Sequence, residues 1–260
     1  MDERRIGVIM PIITLLTDFG DLYPALMKAV ILKINPDAHI IDISHNIPPQ
    51  NIRAGAFALM YATEEFPGRT IHVAVIDPGV GTERRALVIK AGEQYLVGPD
   101  NGLLIPAARN LGDFTVYKIR VISPKSATFH GRDVFAPVAA RLSKDYDTSK
   151  FKSIDDFVNL DFGKTRVSKG ALDGEVVYID AFGNVITNIP GSLALQHMHY
   201  GDEVEVCGQR MPFVRTYAEA SGPLITIGSH RFLEISVRGG VAARLLKLRI
   251  SDLVRIRLKR

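Results

Sequence analysis

The chain has 260 residues, of which 47% are hydrophobic and 23% are charged, and its formal net charge at pH 7 is +4. This length suits one large or two modest domains, and this composition excludes disordered, fibrous and transmembrane classes of protein. The small positive charge does not require a polyanion, so we expect neither a nucleic-acid partner nor a membrane partner.

The first part of the chain alternates short apolar runs with longer segments of helical period. Strands are predicted at Ile12 to Leu16, Ile40 to Ile43 and Thr70 to Ile76, and helices at Pro24 to Leu32 and Asn51 to Glu65. Because nearly continuous apolar strands separated by helices are typical of a parallel sheet covered on both faces, we predict an α/β N-terminal domain with a mainly parallel sheet.

The last part of the chain consists of short β-rich segments punctuated by Gly and Pro. They are Glu175 to Ile179, Val185 to Ile189, Glu203 to Val206, Leu224 to Ile227, Phe232 to Val237 and Leu253 to Leu258. This pattern predicts a smaller all-β C-terminal barrel domain, with one short helix at Val241 to Leu246. We place the domains at residues 1–165 and 166–260.

The cysteine content and the N-terminal segment both indicate the cellular compartment of the protein. The single cysteine, Cys207, cannot form an intrachain disulfide, which fits a reducing compartment. The apolar stretch Ile6 to Leu16 has no small-residue cleavage site, which favours a buried strand over a signal peptide. We therefore predict a cytoplasmic protein. The strand residues around Cys207 predict that it is buried by packing rather than exposed as a nucleophile.

Polar residues follow the ends of two predicted strands, where parallel sheets bind ligands. Asp18 follows the first strand, and its carboxylate is suited either to binding ribose hydroxyls or to capping the next helix. Asp77 ends the third strand, and Arg84 lies beyond a glycine-containing turn that lets a ligand approach the backbone. The alternative there is a surface turn with solvated arginines.

Histidines offer further candidates. His130 stands next to a Gly-Arg-Asp sequence and is suited either to general-base catalysis or to a structural surface position. His197 and His199 alternate as on a strand, but no third ligand has the spacing of a zinc site, so we predict no metal. The segment Asp180 to Asn184, taken alone, indicates a hairpin turn.

Six sequence segments, taken together and in this order, indicate a family far more specifically than any one of them alone. They are Thr17 to Gly20, Ile43 to Gln50, Val75 to Thr82, Val97 to Gly102, Phe129 to Asp133 and Phe182 to Ile189. With them the chain resembles the S-adenosyl-L-methionine (SAM) hydroxide adenosyltransferases, the hydrolase branch of a family that also contains fluorinating and chlorinating enzymes. The resemblance runs from about Ile12 to the C-terminus.

The resemblance implies hydrolysis of SAM to adenosine and L-methionine, with SAM as the substrate and no cofactor. It also implies a homotrimer, in which the ligand lies between the N-terminal domain of one subunit and the C-terminal domain of its neighbour. The family's catalytic Asp, Arg and His correspond to Asp77, Arg84 and His130. The implied substrate-binding residues are Asp18, Asp180, Phe182, Asn184, Ser229, Glu234 and Val237.

Two positions depart from the family pattern, with Arg231 where glycine is common and Arg238 where asparagine is common. The alternatives to a hydrolase are a non-catalytic protein that binds adenosine or SAM, and a SAM-dependent halogenase. The halogenases carry an extra loop where this chain has the short connection Glu64 to Thr70, and His130-Gly131 replaces their halide-contacting segment. The hydrolase is therefore preferred.

Overall fold

The computed structural model describes residues 10–122 and 124–258 of the chain, which divides into two compact units between Leu160 and Asp161. The predicted domain boundary, between residues 165 and 166, lies slightly later along the chain. Each unit has a hydrophobic core of its own. Within the described residues, no helix combines the length and the apolar character that crossing a membrane requires.

The N-terminal unit contains a seven-stranded sheet in the order β2-β1-β3-β5-β4-β6-β7. Its strands are β1 (Ile12–Thr17), β2 (His39–Ser44), β3 (Ile71–Val75), β4 (Ala86–Ala91), β5 (Gln94–Pro99), β6 (Phe114–Ile119) and β7 (Lys152–Ile154). The three predicted strands correspond to β1, β2 and β3. Residues 6–9 of the predicted first apolar stretch lie outside the described residues.

The prediction of a mainly parallel sheet is not confirmed, because the sheet is mixed. Strands β2, β1, β3 and β5 run parallel to one another, whereas β4 pairs with β5 and with β6, and β6 with β7, in antiparallel fashion. The cause is the two-residue connection Gly92-Glu93 between β4 and β5, since a connection this short forms a hairpin and cannot make a parallel crossover. The sequence analysis identified neither of these strands.

Helices cover both faces of this sheet. They are α1 (Leu22–Ile34), α2 (Ile52–Thr63), α3 (Ile105–Leu111) and α4 (Ala136–Asp145), and a π-helical turn, Gly131–Phe135, precedes α4. Helices α1 and α4 pack on the face formed by Ile71, Val73 and Val75. Helix α2 packs at Gly55 against Ile76, which lies on the opposite face because side chains alternate along a strand. Both predicted helices are confirmed, as α1 and α2.

The C-terminal unit is a nearly closed antiparallel sheet that resembles a barrel. Its strands are β8 (Arg166–Ser168), β9 (Ala171–Ile179), β10 (Val185–Pro190), β11 (Glu203–Val206), β12 (Gln209–Pro212), β13 (Pro223–Ile227), β14 (Phe232–Val237) and β15 (Leu253–Leu258). They follow the order β12-β11-β15-β9-β10-β14-β13, with β8 on β9. A bridge between Phe213, next to β12, and Ile225 of β13 brings the two ends of this order together.

Six of these strands are those that the sequence predicts, and the predicted short helix is confirmed as α6 (Ala242–Leu246). The unit is not purely β, because it also contains a four-residue helix, α5 (Gly191–Ala194). The prediction that Cys207 is buried is wrong. Cys207 lies exposed in the tight turn between β11 and β12, where its φ is +51°.

Candidate active site

An ion pair at the end of β3 forms the centre of the candidate site in the N-terminal unit. Arg84 Nε donates to both carboxylate oxygens of Asp77 at 3.0 Å, and Arg84 Nη2 donates to Asp77 Oδ2 as well. The side chains of Asp77 and Arg84 are only 4% and 10% exposed. The alternative of a surface turn with solvated arginines is therefore wrong for Arg84, since a fork-shaped contact to a buried carboxylate fixes the guanidinium.

His130 completes this cluster from a distant part of the sequence. It stands immediately before the π-helical turn, is 8% exposed, and its Nδ1 lies 2.9 Å from Arg84 Nη2. Phe135, in the same turn, places its ring 5.2 Å from the Arg84 guanidinium carbon. His130 is therefore a buried member of a cluster, and the prediction of a structural surface histidine is wrong.

The contact with Arg84 determines which nitrogen of His130 carries the proton. A guanidinium has donors and no acceptor, so Nδ1 must accept, and in the neutral ring the proton lies on Nε2. Burial lowers the pKa of His130 below its ordinary value of 6.5, and the charge of Arg84 lowers it further, against opposing contributions from Asp77 and Asp133. His130 is thus neutral at pH 7.

A groove of about 350 Å³ opens beside this cluster, lined in part by Thr82, Glu83, Arg84 and His130. Its volume lies in the range of small-ligand sites. A buried cation, held by one carboxylate and flanked by a neutral imidazole, can stabilise an oxygen nucleophile that develops negative charge.

Asp18 follows β1 at the same sheet edge, because Thr17 of β1 is in register with Val75 of β3. It does not cap α1 as the alternative reading predicted. Instead its Oδ2 accepts a hydrogen bond of 2.7 Å from the backbone N–H of Gln50. His45 holds the same turn, since its Nδ1 lies 2.9 Å from Thr17 Oγ1. No hydrogen bond between Asp18 and the Asp77–Arg84–His130 cluster is present in the described residues.

The predicted contacts Asp180, Phe182 and Asn184 share the turn between β9 and β10. Asp180 Oδ1 accepts from the backbone N–H groups of Phe182 and Asn184 at 2.9 and 2.8 Å, and its Oδ2 accepts from Asn184 Nδ2 at 2.9 Å. The Phe182 side chain is 78% exposed. The turn therefore presents an aromatic ring on a backbone fixed by one carboxylate, as the hairpin prediction expected.

Glu234 and Val237 lie on β14, and Ser229 lies in the turn before it. Ile186 of β10 pairs with Glu234, so the Val237 end of β14 adjoins the turn at residues 180–184, whereas Ser229 lies at the opposite end of the strand. The structure thus brings Val237 near that turn and keeps Ser229 away from it. Ser229 is exposed and Glu234 is 4% exposed.

Two residues around Glu234 were missed by the sequence analysis. Tyr217 donates its hydroxyl to Glu234 Oε1 at 2.6 Å, and His230 Nε2 lies 3.1 Å from Glu234 Oε2. A signal for the first existed, because Thr216 and Glu219 form a capping box that fixes the short 3₁₀ turn Tyr217–Glu219. No sequence signal indicated His230, whose contact depends on strand β14 and the turn before it.

The other polar candidates do not assemble. The side chain of His199 is 88% exposed. In residues 10–122 and 124–258, no group of three or more His, Cys, Asp and Glu side chains is arranged to hold a metal ion.

Comparison with known proteins gives a consistent result over both units. The family model described as SAM hydroxide adenosyltransferase N-terminal domain matches residues 13–152, and the corresponding C-terminal domain model matches residues 174–255. A protein of Methanocaldococcus jannaschii named (R)-S-adenosyl-L-methionine hydrolase is 41% identical, over 95% of this chain and 96% of that protein.

Two further similarities are informative. A crystal structure of an uncharacterized conserved protein from Thermotoga maritima superposes with a TM-score of 0.87 at 36% identity, covering 94% of this chain and 99% of that one. A protein of Actinoplanes sp. named fluorinase is 26% identical over 87% of this chain and 90% of that protein. The similarity to the fluorinase is thus weaker than the similarity to the hydrolase.

Proposed function

The chain belongs to the SAM hydroxide adenosyltransferase family, and from this membership we propose that it is an enzyme that hydrolyses SAM to adenosine and L-methionine. The identity of 41% to a protein named as a SAM hydrolase is the observation that carries the proposal. Water supplies the new oxygen on C5′ of the ribose, and the bond between C5′ and sulfur breaks.

The chemistry of the substrate explains what the enzyme has to supply. When the C5′–S bond breaks, its electron pair moves to the sulfonium, and methionine leaves as a neutral thioether without needing a general acid. Two hydrogens of water remain to be placed: one stays on the 5′-hydroxyl and the other is released as a proton. The difficult partner is the nucleophile, because bulk water has a pKa of about 15.7.

We propose Asp77, Arg84 and His130 as the catalytic residues. The geometry that supports this is the buried guanidinium, fixed by Asp77 and adjacent to His130, beside a groove of ligand size. The positive charge of Arg84 favours hydroxide over water at that place. In-line placement of the oxygen behind C5′ then supplies orientation.

His130 acts in this proposal as a donor and not as the base. Its Nδ1 lone pair is engaged by Arg84, so Nε2–H is the group that meets the attacking oxygen. Asp77 is likewise engaged, since its carboxylate accepts three hydrogen bonds from Arg84. The proton therefore leaves to the solvent, and the nucleophile reacts as hydroxide.

Substrate binding is proposed for residues of both units. Asp18 at the end of β1 has a carboxylate oxygen, Oδ1, for which no hydrogen bond is present in the described residues, and this suits ribose hydroxyls. The C-terminal contacts to adenine and to the methionine end would come from Asp180, Phe182, Asn184, Ser229, Glu234 and Val237. The exposed Phe182 ring supports this set, because an aromatic face is suited to stacking on a purine.

The assembly, the cofactor requirement and the location are proposed on the resemblance and the sequence. We propose a homotrimer whose sites are completed by the C-terminal domain of a neighbouring subunit, to be tested by native mass spectrometry. The substrate's own sulfonium provides the leaving group, so we propose that no cofactor takes part. A cytoplasmic location is proposed from the single cysteine, which cannot form an intrachain disulfide.

The test is a product assay in heavy-oxygen water. Incubation with SAM should yield adenosine and methionine in equal amounts, with the heavy oxygen in the 5′-hydroxyl. Because the named relative takes the (R) sulfonium epimer, the (R) and (S) epimers are assayed separately. Adenosine at the level of the enzyme-free control, together with calorimetric binding, would instead indicate a non-catalytic binding protein. Formation of 5′-chloroadenosine in excess chloride would indicate a halogenase.

A further inference from the structure

The Glu234 side chain is a buried carboxylate held by two hydroxyls and an imidazole. Its Oε1 accepts hydrogen bonds from Tyr217 at 2.6 Å and from Ser236 Oγ at 2.7 Å, and its Oε2 lies 3.1 Å from His230 Nε2. We call these four residues the Glu234 cluster. Burial alone would raise the pKa of Glu234, but the hydrogen bonds from His230, Tyr217 and Ser236, together with the charge interaction with His230, outweigh it, and the pKa lies below its ordinary value.

A hydrogen bond from the backbone orients the His230 ring. The backbone N–H of Phe232 donates to His230 Nδ1 at 3.2 Å, so Nδ1 carries the lone pair and the proton lies on Nε2, which donates to Glu234. The imidazole and the two hydroxyls together fix the orientation of the Glu234 carboxylate.

The Tyr217 turn is itself anchored by a residue in which this chain departs from its family. Arg238 Nη1 donates to the backbone carbonyl of Ala218 at 3.3 Å. Burial and the contact with Glu234 raise the pKa of Tyr217 to about 12, and the charge of Asp180 adds to this rise. The hydroxyl therefore stays protonated, as a permanent donor, close to two of the proposed substrate contacts.

The turn before β14 leaves room for the contact between His230 and Glu234 only because Gly228 has no side chain. A Cβ at Gly228 would lie 2.3 Å from His230 Nε2 and 2.9 Å from Glu234 Oε2. Arg231, in the same turn, has a φ of +67°, the left-handed region that favours glycine.

We propose that Tyr217 and His230 are positioning residues for substrate binding, which hold the Glu234 carboxylate in one orientation toward the substrate. This inference rests on the proposed function, which places Glu234 among the substrate contacts. Tyr217 fixes one oxygen from the 3₁₀ turn and His230 fixes the other from the turn before β14. Neither residue takes part in the reaction at C5′.

The first test separates binding from chemistry. Tyr217→Phe keeps the ring and removes the hydroxyl, and the loss of one hydrogen bond to a charged group should raise KM for SAM about tenfold. The kcat should stay within about twofold of wild type. Tyr200→Phe is the matched control, because Tyr200 stacks on Phe213 in the same unit and has no hydrogen bond to the Glu234 cluster in the described residues, so it should leave both constants unchanged.

The second test asks whether Tyr217 acts through Glu234. Tyr217→Phe removes a donor to the carboxylate, so the acid limb of the pH profile of 1/KM should move to higher pH than in wild type. In a Glu234→Gln background, Tyr217→Phe should have little further effect on KM. His230→Gln, which keeps an N–H donor, should retain more affinity than His230→Leu.

The outcomes distinguish this inference from the function on which it rests. If wild type forms no adenosine from SAM, the proposed function fails. If wild type turns over but Tyr217→Phe has the wild-type KM and pH profile, the inference fails alone. Full additivity of Tyr217→Phe and Glu234→Gln would also overturn it. Melting temperatures of each variant show whether a lost affinity reflects unfolding.

Discussion

The two units stabilise a buried carboxylate in opposite ways. Asp77 is paired with the guanidinium of Arg84, whereas Glu234 is held by the hydroxyls of Tyr217 and Ser236 and by the His230 imidazole. Each cluster contains a histidine whose Nδ1 accepts a hydrogen bond, from Arg84 at His130 and from a backbone N–H at His230. The two clusters therefore share a histidine geometry but differ in the groups that hold the carboxylate.

We propose that this difference separates a site for chemistry from a site for binding. At Asp77 the carboxylate holds the guanidinium in place, and the Arg84 and His130 N–H groups are the ones proposed to act on a nucleophile. At Glu234 the carboxylate is held by two hydroxyls and an imidazole, and the carboxylate itself is the group proposed to contact the substrate. The predictions below test whether the two clusters differ in this way.

The largest effect is expected for Arg84→Ala. It leaves Asp77, with a side chain 4% exposed, as an unpaired buried charge, which should lower the free energy of unfolding by about 3–5 kcal/mol. Loss of the cation should lower kcat of the folded enzyme by about 10²–10³-fold. Denaturant unfolding and turnover of the folded fraction are the measurements.

Arg85→Ala is the matched control for Arg84→Ala. Arg85 Nε donates to Asp100, whose side chain is 2% exposed, so a buried ion pair is broken here too. Arg85 also lines the groove, but it has no hydrogen bond to His130 in the described residues. Stability should therefore fall, but kcat should fall far less than in Arg84→Ala. An equal loss of kcat in both variants would contradict a specific role for Arg84.

Neutral replacement of the two carboxylates should have unequal effects on stability. Asp77→Asn deprives the Arg84 guanidinium of its charged partner and should cost about 3 kcal/mol or more. Glu234→Gln should cost within about 1 kcal/mol, because the two hydroxyls can turn to accept from the amide while its oxygen still accepts from His230. Chemical denaturation of both variants measures the difference, and equal losses would refute it.

Gly228→Ala tests the geometry of the Glu234 cluster without removing a polar group. The added Cβ must displace His230 or Glu234, which should cost about 1–3 kcal/mol and raise KM for SAM several-fold. A Cβ at Gly222 would meet nothing within 4 Å, so Gly222→Ala should behave as wild type in the same assays. A wild-type KM for Gly228→Ala would show that the orientation of Glu234 does not matter.

The last prediction concerns the dependence of kcat/KM on pH. The pKa of His130 lies below 6.5. If His130 were the general base, kcat/KM would therefore level off by neutral pH. Because we assign His130 the role of a donor, we expect kcat/KM to keep rising above pH 7 as hydroxide becomes available. A pH–rate profile flat from pH 7 upward, with an inflection below 6.5, would identify His130 as the base.

The fold was predictable from the sequence where local pattern decides structure. The wholly buried β3 reads as one apolar run, and β11, β14 and β15 have the bounds that alternation predicts. The antiparallel half of the first sheet was not predicted, because β4 and β5 are buried along almost their whole length and look like any other apolar run. Their direction depends on a two-residue hairpin connection.

The candidate site was predictable only in part. The motif order pointed to Asp77, Arg84 and His130, but their contact depends on the sheet and on the π-helical turn, which no local pattern revealed. The capping box of Thr216 and Glu219 marks only the turn that contains Tyr217, and His230 carries no motif. Their partner Glu234 is buried on a strand whose sequence is mainly apolar. Hydrogen bonds between residues distant in sequence are set by tertiary structure, which composition and spacing do not encode.

The central claim is that the Asp77–Arg84–His130 cluster acts in catalysis and that the Glu234 cluster acts in substrate binding. Paired measurements on two variants test this claim most directly. Single-turnover rates and dissociation constants for SAM are compared for wild type, His130→Ala and Glu234→Gln. The account predicts that His130→Ala loses rate and keeps affinity, whereas Glu234→Gln loses affinity and keeps rate. Equal losses of rate and affinity in both variants would contradict it.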